Sequence, residues 1–194
     1  MERMLKSENF SLFPHSLNVG NPVAAYFITY TCYGSHLHGV EPSSVDRNHN
    51  LPGSRYAPPD DNRLRSVQRQ MVQQPYLLDF RRREAVLLAI QEVCSTRRWS
   101  LIAAHVRTNH VHVVVGAAEA APESAMHDFK AYASRMQNQL DPTDAGTKRW
   151  TRHGSTRHLW SEQEVNGAVW YVLEGQGEPM AVFSGVCENR ASAP

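Results

Sequence analysis

Two histidines one residue apart carry the most specific chemical signal in the chain. His110 and His112 flank Val111 in HVHVVV, the most strand-like segment of the sequence. Side chains two residues apart on a strand point to the same face. The two imidazoles therefore stand side by side, spaced to share one metal ion, while Val111, Val113 and Val115 point the other way into a core. Histidines on a solvent-facing strand are also common polar filler, so spacing alone does not decide. A second pair, His36 and His38, sits in YGSHLHGV at the mouth of a loop; no strand fixes its geometry, and it reads as a decoy. His15, His49, His105, His127, His153 and His158 are scattered singly and read as surface or packing residues.

Two enzyme classes built on paired histidines fit poorly. Histidine-triad hydrolases alternate three histidines, but position 114 is Val114. Two-histidine phosphoesterases need His-x-Ser/Thr, and neither HLH nor HVH supplies the hydroxyl. No GxxxxGK[ST] loop occurs, so nucleotide-triphosphate chemistry has no cradle. A second chemical region is KRWTRHGSTRHLW, where Lys148, Arg149, Arg152 and Arg157 interleave with Trp150 and Trp160, and no acid lies between Asp144 and Glu162. Cations that hold phosphates beside rings that stack on bases are what a single-strand or hairpin binder uses. A solvated basic loop is the rival reading. Arg81 to Arg83, Arg97 and Arg98 read slightly better as solvated helix ends.

These groups need a frame. Residues 24–33, AAYFITYTCY, read as a strand from their aromatic and β-branched content. Residues 34–75 are rich in Gly, Pro, Ser, Asp and Asn and read as a loop insertion, about 39–75, with a short helix near Arg63 to Val72. Asp79 is the expected N-cap of a helix whose Val86, Ala89, Ile90 and Val93 fall at i, i+3, i+4 and i+7. Ser100 to Val106 and His110 to Val115 form a hairpin about the turn 107–109. Glu123 to Leu140 is a second helix, Leu159 to Val165 a short strand, and Ala168 to Leu173 the start of a third helix. The order predicts an α+β fold: a ferredoxin-like or RRM-like antiparallel sheet with helices packed on one face. The expected organisation is an N-terminal arm at 1–22, one domain at 23–184 and a tail at 185–194.

Composition bounds the function. The chain has 194 residues, with 20 Lys and Arg against 19 Asp and Glu, a net charge of +1. That excludes coating nucleic acid through bulk charge and leaves room for a local basic face. Three scattered cysteines, Cys32, Cys94 and Cys187, form no CxxC pair. A disulfide framework or zinc knuckle is not expected, and a reducing cytoplasmic setting fits best. No run is apolar and long enough to cross a membrane, and the first residues do not form a secretory signal.

TNHVHVVV resembles the His-hydrophobic-His signature of the single-tyrosine HUH transposases, which include small insertion-sequence transposases and REP-associated tyrosine transposases. AYFITYTCYGSHLHG resembles that family's first strand and turn. AMHDFKAYASRMQNQL resembles the helix after the HUH strand, with Lys130, Ser134 and Arg135 on its polar side. RHLWSEQEV followed by AVWYVLEGQGEP resembles its late aromatic strand and tyrosine helix. The resemblance spans roughly residues 24–183. It implies that His110 and His112 are metal ligands and that Tyr171 is a nucleophile. From its neighbours Val169, Trp170 and Val172 alone, Tyr171 reads as a core residue. The family's amide ligand lies one helical turn after the tyrosine, where this chain has Gly175; a distorted turn is expected to bring Gln176 round instead. Mg²⁺ or Mn²⁺ is the implied cofactor. The implied activity cuts and rejoins single-stranded DNA, and the implied assembly is a homodimer. Lys130, Arg135, Lys148, Arg149, Arg152, Arg157 and Trp150 are the expected DNA contacts. The competing expectation is a non-catalytic nucleic-acid-binding module on the same fold.

Overall fold

Burial of alternating residues on two sides of one sheet sets the architecture. The structure is a computed structural model and describes residues 25–35, 60–117 and 119–185, without the Arg63 side chain. The expected arm, His36, His38, most of the insertion and the tail beyond residue 185 lie outside the described residues. The elements run β1 (Ala25–Cys32), α1 (Asp61–Gln70), α2 (Phe80–Arg97), β2 (Ser100–Val106), β3 (His110–Gly116), α3 (Pro122–Leu140), β4 (Trp150–Leu159), α4 (Glu162–Leu173) and β5 (Ala181–Ser184). The strands form one sheet in the order β4-β1-β3-β2-β5, antiparallel throughout.

The α+β antiparallel architecture is as expected. Tyr26, Ile28 and Tyr30 of β1 and Val111, Val113 and Val115 of β3 face α2 and α3, which supply Val86, Ile90, Val93, Phe129 and Ala133 to the main core. The opposite face is covered at one end by α4. There Val165, Ala168, Val169 and Val172 pack on Ala25, Ala103, Val114 and Leu159. The expected helical layer is thus α2 and α3, and the tyrosine-bearing helix lies across the sheet from it, on the histidine face.

Local chemistry explains the boundaries. Asp79 caps α2 by accepting the Arg82 N–H at 2.8 Å, which satisfies one orphan donor of the first turn. Arg98 ends that helix in the left-handed region at φ 59°. Ser161 caps α4 by accepting the Glu164 N–H at 3.2 Å. That cap corrects two expectations. The segment from Glu162 on is helix rather than the end of a strand, and the basic stretch is itself the strand β4. Its residues are mostly exposed on both faces because β4 is an edge strand, so no apolar alternation marked it. The four-residue β5 was not foreseen.

Gly154 lets α3 close over the β1–β4 pair. A Cβ there would sit 2.5 Å from the Thr29 carbonyl oxygen and 2.5 Å from Met126 Sδ. Met126 can swing away, but the backbone oxygen cannot without moving the strand. Gly154→Ala is expected to cost about 1–3 kcal/mol. Gly167, inside α4, has nothing within 4 Å of the same added carbon, so Gly167→Ala should gain up to about 1 kcal/mol of helix propensity. Urea unfolding of the two variants should therefore move in opposite directions.

Candidate metal and tyrosine site

The site is assembled from three strands and one helix end. Strand register aligns Ser155 of β4, Thr29 of β1, His112 of β3 and His105 of β2 in one row. Thr31 faces His110 in the next row. The two imidazoles of β3 lie 4.8 Å apart between ring centroids, at an interplanar angle of 73°.

Each imidazole is oriented through its Nδ1. Asn109 Oδ1, which only accepts, takes the His110 Nδ1–H at 2.7 Å, and this places the lone pair on Nε2. His112 Nδ1 meets the Thr29 hydroxyl at 2.8 Å. Its Nε2 meets Gln176 Oε1 at 3.1 Å. Because that amide oxygen accepts, Nε2 carries the proton in this arrangement and Thr29 donates to Nδ1. Burial, then the neighbouring His110, pushes the His112 pKa down to about 4. His112 is therefore neutral at physiological pH, the form a metal ligand requires.

The end of α4 supplies the other groups. Tyr171 is exposed and stands edge-on to His112, with centroids 5.6 Å apart, and to Phe27 at 5.9 Å. Phe27 also stacks against His112 at 5.7 Å. After Tyr171 the helix loosens. The Gly175 N–H is shared between the Trp170 carbonyl at 3.3 Å and the Tyr171 carbonyl at 3.1 Å, a mixture of five- and four-residue spacing. A Cβ on Gly175 would lie 2.9 Å from the Tyr171 carbonyl oxygen and 3.1 Å from its ring. The absent side chain lets the turn tighten against the tyrosine. Gln176 then folds back, its Nε2 donating to the Tyr171 carbonyl at 3.3 Å while its Oε1 faces His112.

The structure thus brings His110, His112, Tyr171 and Gln176 together. Two imidazoles and one amide oxygen form a donor set that fits a divalent cation with open positions. Among the described residues no group of three His, Cys, Asp or Glu side chains could hold a metal, so the amide is needed to complete a triad. Phe27, Thr29, Asn109 and His105 belong to the same neighbourhood and were not singled out from the sequence. The signal for His105 was present: counting back through the 107–109 turn sets it opposite His112.

The expected nucleic-acid contacts divide. Arg135, Lys148, Arg152 and Arg157 are exposed. Arg157 pairs in register with Phe27, which places it on the histidine face. The other three point inward, which corrects the sequence reading. Arg149 is buried, its Nη2 donating to the Asp144 carbonyl at 2.9 Å. Lys130 Nζ donates to the carbonyls of Thr151 and His153 at 3.0 and 3.2 Å and so braces the start of β4. Trp150 Nε1 donates to Ser134 Oγ at 3.0 Å, with its ring edge-on to Tyr30. Trp160 is the outward-facing tryptophan of this stretch, stacked on His158 at 5.3 Å. Arg82 is engaged by Asp79, Asp141 and Asp144, and Arg97 by Asp128, so neither extends a basic face.

The sequence model of the family described as "Transposase IS200 like" matches residues 71–163. The match includes His110 and His112 and stops before Tyr171. Among solved structures, one titled "Structure of the REP associates tyrosine transposase bound to a REP hairpin" aligns with a TM-score of 0.41 and 12% identity, over 87% of this chain and 70% of that one. No curated protein matches the chain. Among the described residues no helix is long and apolar enough to cross a membrane. The likeness to the IS200-like transposases carried by the motifs is borne out.

Proposed function

We propose that this relative of the IS200-like transposases is a metal-dependent DNA strand transferase that cuts and rejoins single-stranded DNA through a tyrosine-linked intermediate. One observation carries the reading: the imidazole pair, the exposed Tyr171 and the Gln176 amide converge on one spot, with Tyr171 and His112 5.6 Å apart between ring centroids.

His110, His112 and Gln176 would hold Mg²⁺ or Mn²⁺, which supplies positive charge to a non-bridging phosphate oxygen and offsets charge growing there. The protein's own groups do the rest. Tyr171 Oη attacks phosphorus, and its proton passes to solvent at the exposed face. The bond from phosphorus to the 3′-oxygen breaks, and that oxygen takes up a proton and leaves as a 3′-hydroxyl. The product is a 5′-phosphotyrosine, which conserves the bond energy, so a later 3′-hydroxyl can reverse the step without a nucleotide cofactor. Thr29 serves either tautomer of His112, since a hydroxyl both donates and accepts. Phe27 holds the Tyr171 and His112 rings edge to face. Exposed Arg157 and Arg152 offer phosphate contacts along the edge strand.

The test is a denaturing gel. Incubation with labelled single-stranded DNA hairpins and Mn²⁺ is expected to give a covalent adduct that excess chelator prevents, while DNA binding without metal persists. DNA binding with no adduct across many hairpin sequences would favour the non-catalytic binding module. A homodimer is part of the proposal, and light scattering of the protein with its DNA tests it.

A further inference from the structure

We propose that His105 is a positioning residue for this site: it pins both ends of the turn that carries Gln176. The inference rests on Gln176 being the amide donor. His105 is fully buried on β2, directly across from His112 in the strand register. Its Nδ1 lies 2.9 Å from the Val172 carbonyl, in the last turn of α4. Its Nε2 accepts the Met180 N–H at 3.2 Å, at the entry to β5. A carbonyl only accepts and an amide N–H only donates, so these two bonds define one neutral tautomer, with the proton on Nδ1.

The two anchors bracket residues 173–179, and Gln176 stands in the middle of that span. The segment contains Gly175 and Gly177, the latter at φ 73°, so its own backbone restrains it little. Arg107 Nη1 adds one bond to the Glu178 carbonyl at 2.9 Å. An apolar residue at position 105 would fill the same volume and leave the buried Val172 carbonyl and the part-buried Met180 N–H without this partner. Those groups would recover partners only by moving the turn toward water, and Gln176 would move with them. His105 therefore acts on the metal site through Gln176 and without touching a metal.

Hydrogen–deuterium exchange on the protein without metal or DNA reads the turn directly. His105→Phe is expected to speed exchange over residues 174–180 by about tenfold or more while β1 and β3 stay protected. His105→Gln, whose amide again offers one donor and one acceptor, should restore most of that protection. Unchanged exchange over the turn in His105→Phe overturns the proposal, whether or not the protein binds a metal. So does loss of protection throughout β1 and β3 in both variants, since His105 would then be holding the sheet. Mn²⁺ uptake, read from the free-ion electron paramagnetic resonance signal, is expected to weaken about 10- to 100-fold in His105→Phe. Combined with Gln176→Ala it should weaken no further; an additive loss removes the positioning role. A wild-type protein that takes up no Mn²⁺ refutes the metal reading alone, and the exchange result then decides His105.

Discussion

Tyr171→Phe is expected to abolish the covalent DNA adduct, with a loss of roughly a thousandfold or more, and to leave folding and DNA binding unchanged. The variant removes one oxygen, and in the proposed reaction that oxygen forms the new bond to phosphorus; no neighbouring group replaces it. Stability should hold because the hydroxyl stands on an exposed residue. The contacts of Tyr171 with Phe27 and His112 are made by its ring, which phenylalanine keeps. The competing tyrosines are separated by where they point. Tyr26 and Tyr30 are buried on the α2–α3 side of the sheet. Tyr132 is half-buried, packs against that same core and lies beneath the Arg135 guanidinium at 4.9 Å. Tyr132→Phe should therefore form the adduct at the wild-type rate. An adduct that survives Tyr171→Phe and vanishes in Tyr132→Phe would overturn the assignment.

How far the site was legible depends on how local each feature is. The HUH pair could be read from three consecutive residues, because strand geometry alone sets His110 and His112 on one face. The hairpin and the two long helices followed from periodicity and caps, as with Asp79. Tyr171 was different. On its own helix it neighbours Val169 and Val172, which are buried, and only packing against the histidine face makes it a site residue. Gln176 depends on a distortion at Gly175 that no propensity rule specifies. Thr29 was hidden because its role is set by the β1–β3 register, a pairing between residues 83 apart in sequence. Lys130, Arg149 and Trp150 were misread for the reverse reason. Composition marks cations and rings, but it does not show that α3 lies against the start of β4, where Lys130 reaches the Thr151 and His153 carbonyls and Trp150 meets Ser134, or that Arg149 turns back to the Asp144 carbonyl. Near-neutral net charge was equally uninformative, since the exposed arginines on β4 lie where acids are absent.

His112→Ala is expected to lower adduct formation by about a thousandfold and, in the metal-free protein, to make folding less sensitive to acid. The first effect follows from removing one of three donors and the ring that Tyr171 and Phe27 pack against. Gln176 Oε1 and the Thr29 hydroxyl both lose their partner, so the variant should also be less stable at neutral pH. The second effect follows from the direction of the pKa shift. In the unfolded chain His112 titrates near its ordinary 6.5, and in the fold at about 4. Above 6.5 both states are neutral and the full stability is present. As pH falls from 6.5 toward 4 the unfolded state takes up a proton that the folded state refuses, so stability declines; below 4 both are charged and the decline ends. The gap corresponds to a loss on the order of 3 kcal/mol across that window. Carboxylates titrate over the same range in both proteins, so the readout is the difference between them. Urea unfolding in excess chelator at pH 7 and at pH 4.5 should show the wild type losing much of its advantage over His112→Ala at the lower pH. A constant difference at both values would mean that the imidazole titrates normally in the fold, and that its burial beside His110 does not hold it neutral.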